Sequence, residues 1–212
     1  MKSNEALEKL IVFSRYPEPG TTKTRLARVL GDQGAAEIQK KLTEHTISQV
    51  RQFLQSGPIG AVVYFDGGSL EQMRRWLGPD FQYQHQGSGD LGQRMQRAFD
   101  FAFQQNHKRV VIIGADCPGL RASHMTQAFR SLRHKDLVLG PATDGGYYLI
   151  GLSHYEKSLF KNMGWGTDTV LAKTLTLAEQ KGLSIELLEK LSDVDRPEDL
   201  KHFNHHTDPQ RG

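Results

Sequence analysis

The chain has 212 residues, enough for one well-buried core, and its composition does not call for two independent domains. It is 37% apolar and 24% charged, with 21 Gly and 8 Pro, which excludes a low-complexity or fibrous chain. Twenty-seven basic against 24 acidic residues leave a net charge of +3, too weak a bias to argue for a nucleic-acid partner.

Cys117 is the single cysteine, so neither an intrachain disulfide nor a cysteine-built zinc site is available. The start, residues 1–9, is polar and charged. The first apolar run, residues 10–13, is too short for a signal core or a membrane span, and the expected location is cytoplasmic.

That run, followed by Pro and Gly, reads as a buried strand ending in a loop. A long helix is predicted over about 35–55, because Ala35, Ile38, Leu42, Thr46, Val50 and Phe53 fall on one face. Residues 59–65 read as a second strand stopped at Asp66-Gly67-Gly68, and Ser69 caps a short helix through Trp76. A weaker strand, 81–85, leads through a glycine loop to a helix carrying Leu91, Met95, Ala98, Phe99 and Ala102 on one face. Residues 109–114 have the pattern of a central parallel strand buried on both faces. A helix over about 123–132, strands at 137–139 and 147–152, a helix over 167–181, a strand at 183–188 and a last helix opened by Pro197 complete the chain.

Strands alternating with helices predict an α/β fold: three α/β/α layers, Rossmann-like, around a mostly parallel central sheet. One domain is expected over 1–203, with a flexible polar tail at 204–212. In such sheets ligands sit beyond the carboxyl ends of the strands. The unusual loops of this sequence all follow strands or join strand to helix, and so can converge on one edge.

The first of them, Pro17-Glu18-Pro19-Gly20-Thr21-Thr22-Lys23-Thr24-Arg25, combines a permissive glycine, a helix start and cations. Backbone N–H groups at a helix N-terminus favour an anion, and Lys23 and Arg25 add charged donors, so Pro19, Gly20, Lys23 and Arg25 are candidates to grip a phosphate chain. The spacing is neither the Walker pattern nor G-x-G-x-x-G, and a solvated polar turn is the competing reading.

Asp116 closes the 109–114 strand, where a carboxylate can hold a divalent cation on diphosphate oxygens. Mg²⁺ takes one or two protein carboxylates, so a second acid is expected, and Asp195 is the best candidate; a helix cap before Pro197 explains it equally well. Asp193 is the weaker candidate. Gly87, Asp90 and Leu91 form a glycine loop that lets a base or ribose approach the backbone, although Asp90 also reads as a plain N-cap. Asp144, before Gly145-Gly146-Tyr147-Tyr148, reads either as a base for an acceptor hydroxyl or as a turn residue. Trp165 either stacks on a substrate ring or closes the core.

Five ordered motifs carry a resemblance. They are Pro17-Glu18-Pro19-Gly20 with Lys23-Thr24-Arg25-Leu26; Gly89-Asp90-Leu91-Gly92 with Arg94-Met95; Gly114-Ala115-Asp116-Cys117-Pro118-Gly119-Leu120; Leu139-Gly140-Pro141-Ala142 with Asp144-Gly145-Gly146-Tyr147-Tyr148; and Asp193-Val194-Asp195 with Pro197-Glu198-Asp199-Leu200. Together they resemble a bacterial glycosyltransferase-like family named for arsenosugar biosynthesis and for association with radical-SAM and selenium-related genes. The resemblance implies the glycosyltransferase A fold, also called the nucleotide-diphospho-sugar transferase fold. The segment around Lys23 also looks like the start of phospholactate guanylyltransferases. Two departures stand out: Cys117-Pro118 follows Asp116 where many members of the fold carry an Asp-x-Asp pair, and Arg196 stands where related nucleotidyltransferases often have Thr.

The expectation is therefore a transferase that uses Mg²⁺ or Mn²⁺. Its catalytic candidates are Asp116, Asp144 and Lys23, and its metal candidates are Asp116 and Asp195. Glycosyl transfer from a nucleotide sugar to a small-molecule acceptor is the first reading. Nucleotidyl transfer from a nucleoside triphosphate, with pyrophosphate leaving, is the second, because the fold is shared by both reactions. A non-catalytic nucleotide sensor is the third. No membrane span is expected, and the reading leaves room for a homodimer.

Overall fold

The computed structural model describes residues 7–206; residues 1–6 and 207–212, with the ends of the expected domain and tail, lie outside it. Seven strands form one sheet: β1 (Glu8–Arg15), β2 (Gly60–Asp66), β3 (Gln82–His85), β4 (Arg109–Ile113), β5 (Leu137–Pro141), β6 (Tyr147–Leu152) and β7 (Ile185–Leu187). Their order is β3-β2-β1-β4-β6-β5-β7. All neighbours are parallel except β6, which runs antiparallel to both β4 and β5. The predicted central strand is β4, fully buried at Val110–Ile113, but it is parallel only on its β1 side. The reason is local. A turn as short as 142–146 cannot make the crossover that a parallel pair needs, so β6 folds back beside β5 and slots in reversed.

Side chains alternate across the strands, and the two faces are covered separately. Leu10 and Val12 of β1 pack with Val50 and Phe53 of α1 (Thr24–Leu54), Met73 of α2 (Leu70–Leu77) and Phe129 of α4 (Ala122–Ser131). Ile11 and Phe13 face the other way, onto Met95 and Phe99 of α3 (Leu91–Gln104) and Ala178 of α5 (Val170–Gln180). This is the expected α/β/α arrangement around a mostly parallel sheet. A third cluster joins Leu26, Ala35 and Leu42 of α1 to Val194 and to Phe203 of α6 (Leu200–His206).

Two helices differ from expectation. α1 begins at Thr24, eleven residues before the predicted start, and is broken at Gly31 (φ 68°, ψ 168°); the periodic stripe was visible only beyond that break. At the other end, Pro197–Asp199 form a 3-10 turn, and α6 runs to His206, into the segment expected to be tail. No helix among the described residues is long and apolar enough to cross a membrane.

Candidate functional site

The parallel strands deliver the sequence's unusual loops to one edge of the sheet. β1 leads into the loop that ends at Lys23, β2 ends on Asp66, β3 leads to Gln86–Asp90 and β4 to Asp116. β5 runs into Ala142–Gly146 at the same edge, where Ala142 pairs with Leu191 in the segment after β7. Val194 N donates to Asp116 O at 2.9 Å, and buried Val194 pins its segment under α1. That backbone bond sets Asp195 beside Asp116, 79 residues away in the chain.

Pro19 and Gly20 make a type II turn: Thr21 N donates to Glu18 O at 3.2 Å, and Gly20 takes φ +81°, which a side chain would oppose. The turn sends the chain back so that Lys23, itself left-handed (φ 49°, ψ 42°), caps α1 with its side chain returned to the sheet edge. Lys23 Nζ reaches Asp116 Oδ1 at 2.5 Å and Asp195 Oδ1 at 3.9 Å, and its side chain is only 4% exposed. Arg25 Nη1 donates to Asp195 Oδ2 at 2.6 Å. Two carboxylates and two cations thus form one compact group, with the ammonium between the acids.

Two clefts open on either side of it. One, of about 550 Å³, is lined by Arg15, Lys23, Asp66, Gln86, Gly89, Asp90, Leu91, Arg94, Asp116, Tyr147 and Asp195. The other, of about 720 Å³, is lined by Arg25, Thr143, Asp144, Thr167, Asp168, Asp193, Asp195, Arg196 and His202. Asp195 stands in the wall of both. Pro19, Gly20 and Gly87 line neither. Asp90 is the N-cap of α3 in a reciprocal capping box with Gln93, and Leu91 beside it keeps 46% of its surface exposed. Asp144 lies in the second cleft, with Oδ1 accepting from Gly146 N at 2.8 Å.

Sequence reasoning missed a second polar network at the far end of the first cleft. Asp66 Oδ2 accepts from Arg15 Nη2 at 2.8 Å and from Arg94 Nη1 at 3.0 Å. Burial works to raise the Asp66 pKa, but the hydrogen bonds and charges of Arg94 and Arg15 outweigh it and hold the carboxyl below its ordinary value. Gln86, almost fully buried, donates to Ser14 O and Tyr64 O and accepts from Arg94, tying three strands' ends together. The available signal was positional: Asp66 and Gln86 each sit where a parallel strand ends.

Asp193, the weaker of the two metal candidates in its segment, lines the second cleft. Burial, then the charges of Asp144, Asp199 and Asp116, push its carboxyl above its ordinary value, and Thr143 Oγ1 stands 3.4 Å from it as a donor. Cys117 is buried, and desolvation followed by the Asp116 charge raises its thiol pKa, so it is a packing residue. Trp165 packs edge-on against Tyr147, with ring centroids 6.4 Å apart, at the boundary of the first cleft.

Among the described residues no group of three or more His, Cys, Asp or Glu donors is arranged to hold a metal ion. Asp116 and Asp195 nevertheless converge on one point, and both are open to solvent, with side chains 52% and 36% exposed. Two carboxylates completed by phosphate oxygens and water are the donor set that Mg²⁺ or Mn²⁺ accepts, so the pair fits, with the Lys23 ammonium at its focus.

A seven-stranded sheet of this order, with one reversed strand and the acidic loops gathered at its carboxyl edge, defines a nucleotide-diphospho-sugar transferase fold of the glycosyltransferase A type. The chain belongs to the bacterial family described as "Uncharacterized protein conserved in bacteria (DUF2064)", whose model matches residues 49–167. It is 31% identical to a protein of Desulfovibrio desulfuricans G20 provisionally assigned as a nucleotide-diphospho-sugar transferase; the match spans 97% of this chain and 90% of that one, with a TM-score of 0.85. The fold is also that of the Mycobacterium tuberculosis glucosyl-3-phosphoglycerate synthase solved with Mn²⁺, uridine diphosphate and glucosyl-3-phosphoglycerate (12% identity, TM-score 0.58, 94% of this chain and 76% of that one). The inositol-1-phosphate CTP transferase of T. maritima shares it too (14% identity, TM-score 0.51, 92% and 91%). No curated protein matches the chain.

Proposed function

We propose that this protein is a metal-dependent glycosyltransferase that moves a sugar from a nucleotide sugar to a small-molecule acceptor. The observation that carries the reading is that two clefts meet at one carboxylate, Asp195, with Lys23 and Asp116 on one side and Arg25, Asp144 and Asp193 on the other. A transferase needs a donor pocket and an acceptor pocket that open on the same bond, and in this reading the two clefts serve as those pockets. The kinship with the Desulfovibrio protein supports the donor class. The narrower tie to the arsenosugar-associated family is part of the proposal and rests on the five ordered motifs.

In this reading the first cleft takes the nucleotide. The exposed apolar face of Leu91, beside Gly89 and Asp90, offers a surface to the base and ribose, and Lys23 in that cleft, with Arg25 reaching Asp195 from the second, neutralises the departing nucleoside diphosphate. Asp116 and Asp195 would hold Mg²⁺ or Mn²⁺, which when bound supplies further charge neutralisation at the diphosphate. Asp144, fixed by its bond from Gly146 N in the second cleft, takes the proton of the acceptor hydroxyl. The reading carries with it a cytoplasmic location.

The test is release of nucleoside diphosphate, or slow sugar hydrolysis, from a panel of nucleotide sugars with and without Mn²⁺. Inertness toward all common nucleotide sugars, combined with tight binding of a nucleoside triphosphate, overturns the proposal. A second reading, nucleotidyl transfer, draws on the nearly buried Lys23 at the start of α1, a placement that also suits a triphosphate. Pyrophosphate release across triphosphates and phosphorylated acceptors separates the two. Any turnover that Asp116→Asn abolishes eliminates a mere sensor.

A further inference from the structure

We infer that Lys23 is the resident cation of the Asp116 and Asp195 pair, and that the pair takes up a divalent ion only by exchanging Lys23 for it. The inference deepens the metal-dependent reading above and rests on it for context, but its argument is local. Lys23 Nζ lies 2.5 Å from Asp116 Oδ1 and 3.9 Å from Asp195 Oδ1, on the inner side of both acids. Its side chain is 4% exposed while theirs are 52% and 36% exposed, so the cation sits beneath two carboxylates that open to solvent.

An ion held by these carboxylates would need the space the ammonium fills, and it would also be repelled by the ammonium's charge. Arg25 adds to the effect by holding Asp195 Oδ2 at 2.6 Å. Asp116 and Asp195 are thus each already paired with a cation. While Lys23 stays, its charge competes with a divalent ion for both acids.

The backbone shows how the lysine is held there. Its left-handed φ of 49° is uncommon for a residue with a side chain, and its carbonyl accepts from both Leu26 N and Ala27 N. Exchange therefore falls to the side chain, whose four-carbon stem can swing toward an anion in the first cleft. A phosphate chain would offer Lys23 a new partner and free the carboxylates. Metal and phosphate uptake then reinforce each other, as reciprocal coupling requires.

The experiment measures Mn²⁺ alone binding to the full chain, through loss of the paramagnetic signal of free Mn²⁺. Wild type is compared with Lys23→Met, Lys23→Arg and the double variant Lys23→Met with Asp116→Asn. Lys23→Met is expected to lower the Mn²⁺ dissociation constant at least about tenfold, since a competing unit charge is gone. Lys23→Arg should stay close to wild type, and the double variant should lose the gain. Unchanged or weaker Mn²⁺ binding in Lys23→Met, or no binding by either protein, overturns the inference. Lys23→Gln replaces Lys23→Met in the same comparison if the latter lacks a cooperative thermal transition. Absence of turnover with every nucleotide sugar would end the glycosyltransferase reading and leave this comparison standing, whereas unchanged Mn²⁺ affinity would end the inference alone.

Discussion

Gly92 and Trp165 are packed so closely that a Cβ placed on Gly92 would collide with the indole Nε1. The contact locks the loop before α5 onto the first turn of α3. Trp165 in turn meets Tyr147, which lines the first cleft, and the chain beyond it supplies Thr167 and Asp168 to the second. One small residue thus couples the walls of the two clefts.

Gly92→Ala should therefore displace Trp165 and cost about 1–3 kcal/mol, the usual range for overpacking. In a Trp76→Phe background, a red-shifted Trp165 emission together with a lower melting temperature is the expected outcome. An unshifted spectrum would show that the contact is slack.

Asp116→Asn keeps the shape of the side chain and removes the charge nearest Lys23. Nucleoside diphosphate release should fall about 10²–10³-fold, the scale for losing one preorganised electrostatic group, while the circular dichroism spectrum is retained. A fall of less than about threefold would move Asp116 out of the reacting centre.

Asp193→Asn should stabilise the protein at neutral pH. Its folded pKa is raised, by burial first and by neighbouring acids next, so the ionised form carries a folding penalty. That penalty is absent below the ordinary carboxyl value near 3.8, grows as pH rises toward the folded value, and is complete above it. Melting in EDTA at pH 7 should show a higher transition temperature than wild type, and the gain should vanish below pH 3.8.

Arg94→Ala removes donors to Asp66, Gln86 and Gly89 O at once. A loss of about 1–3 kcal/mol is expected, with the KM for a nucleotide sugar raised more than kcat is lowered, because the network frames the cleft. Asp66 has a depressed pKa, so its contribution is present above the ordinary value near 3.8 and lost as pH falls through the folded value. The stability gap between wild type and Arg94→Ala should narrow in acid over that window.

Much of the site was legible because turn chemistry and strand ends are local. The Asp90 cap, the Pro19-Gly20 turn and the Asp116 strand end each follow from a few adjacent residues. The Gly31 break hid the first part of α1, since periodicity fails where the helix direction changes. The Arg15, Asp66, Gln86 and Arg94 network was illegible for a different reason: its members come from four separate segments, and no spacing links them.

Sequence alone determined the layered α/β architecture, the strand-end placement of Asp116 and Asp144, and the family resemblance, because alternation, caps and motifs are written in neighbouring residues. Tertiary structure decided what those residues face. The Val194 bond to Asp116 O and the left-handed turn at Lys23 together place an ammonium between Asp116 and Asp195. The physical reason is that charges 93 and 79 residues apart interact through distance in space, which only the packed sheet edge sets.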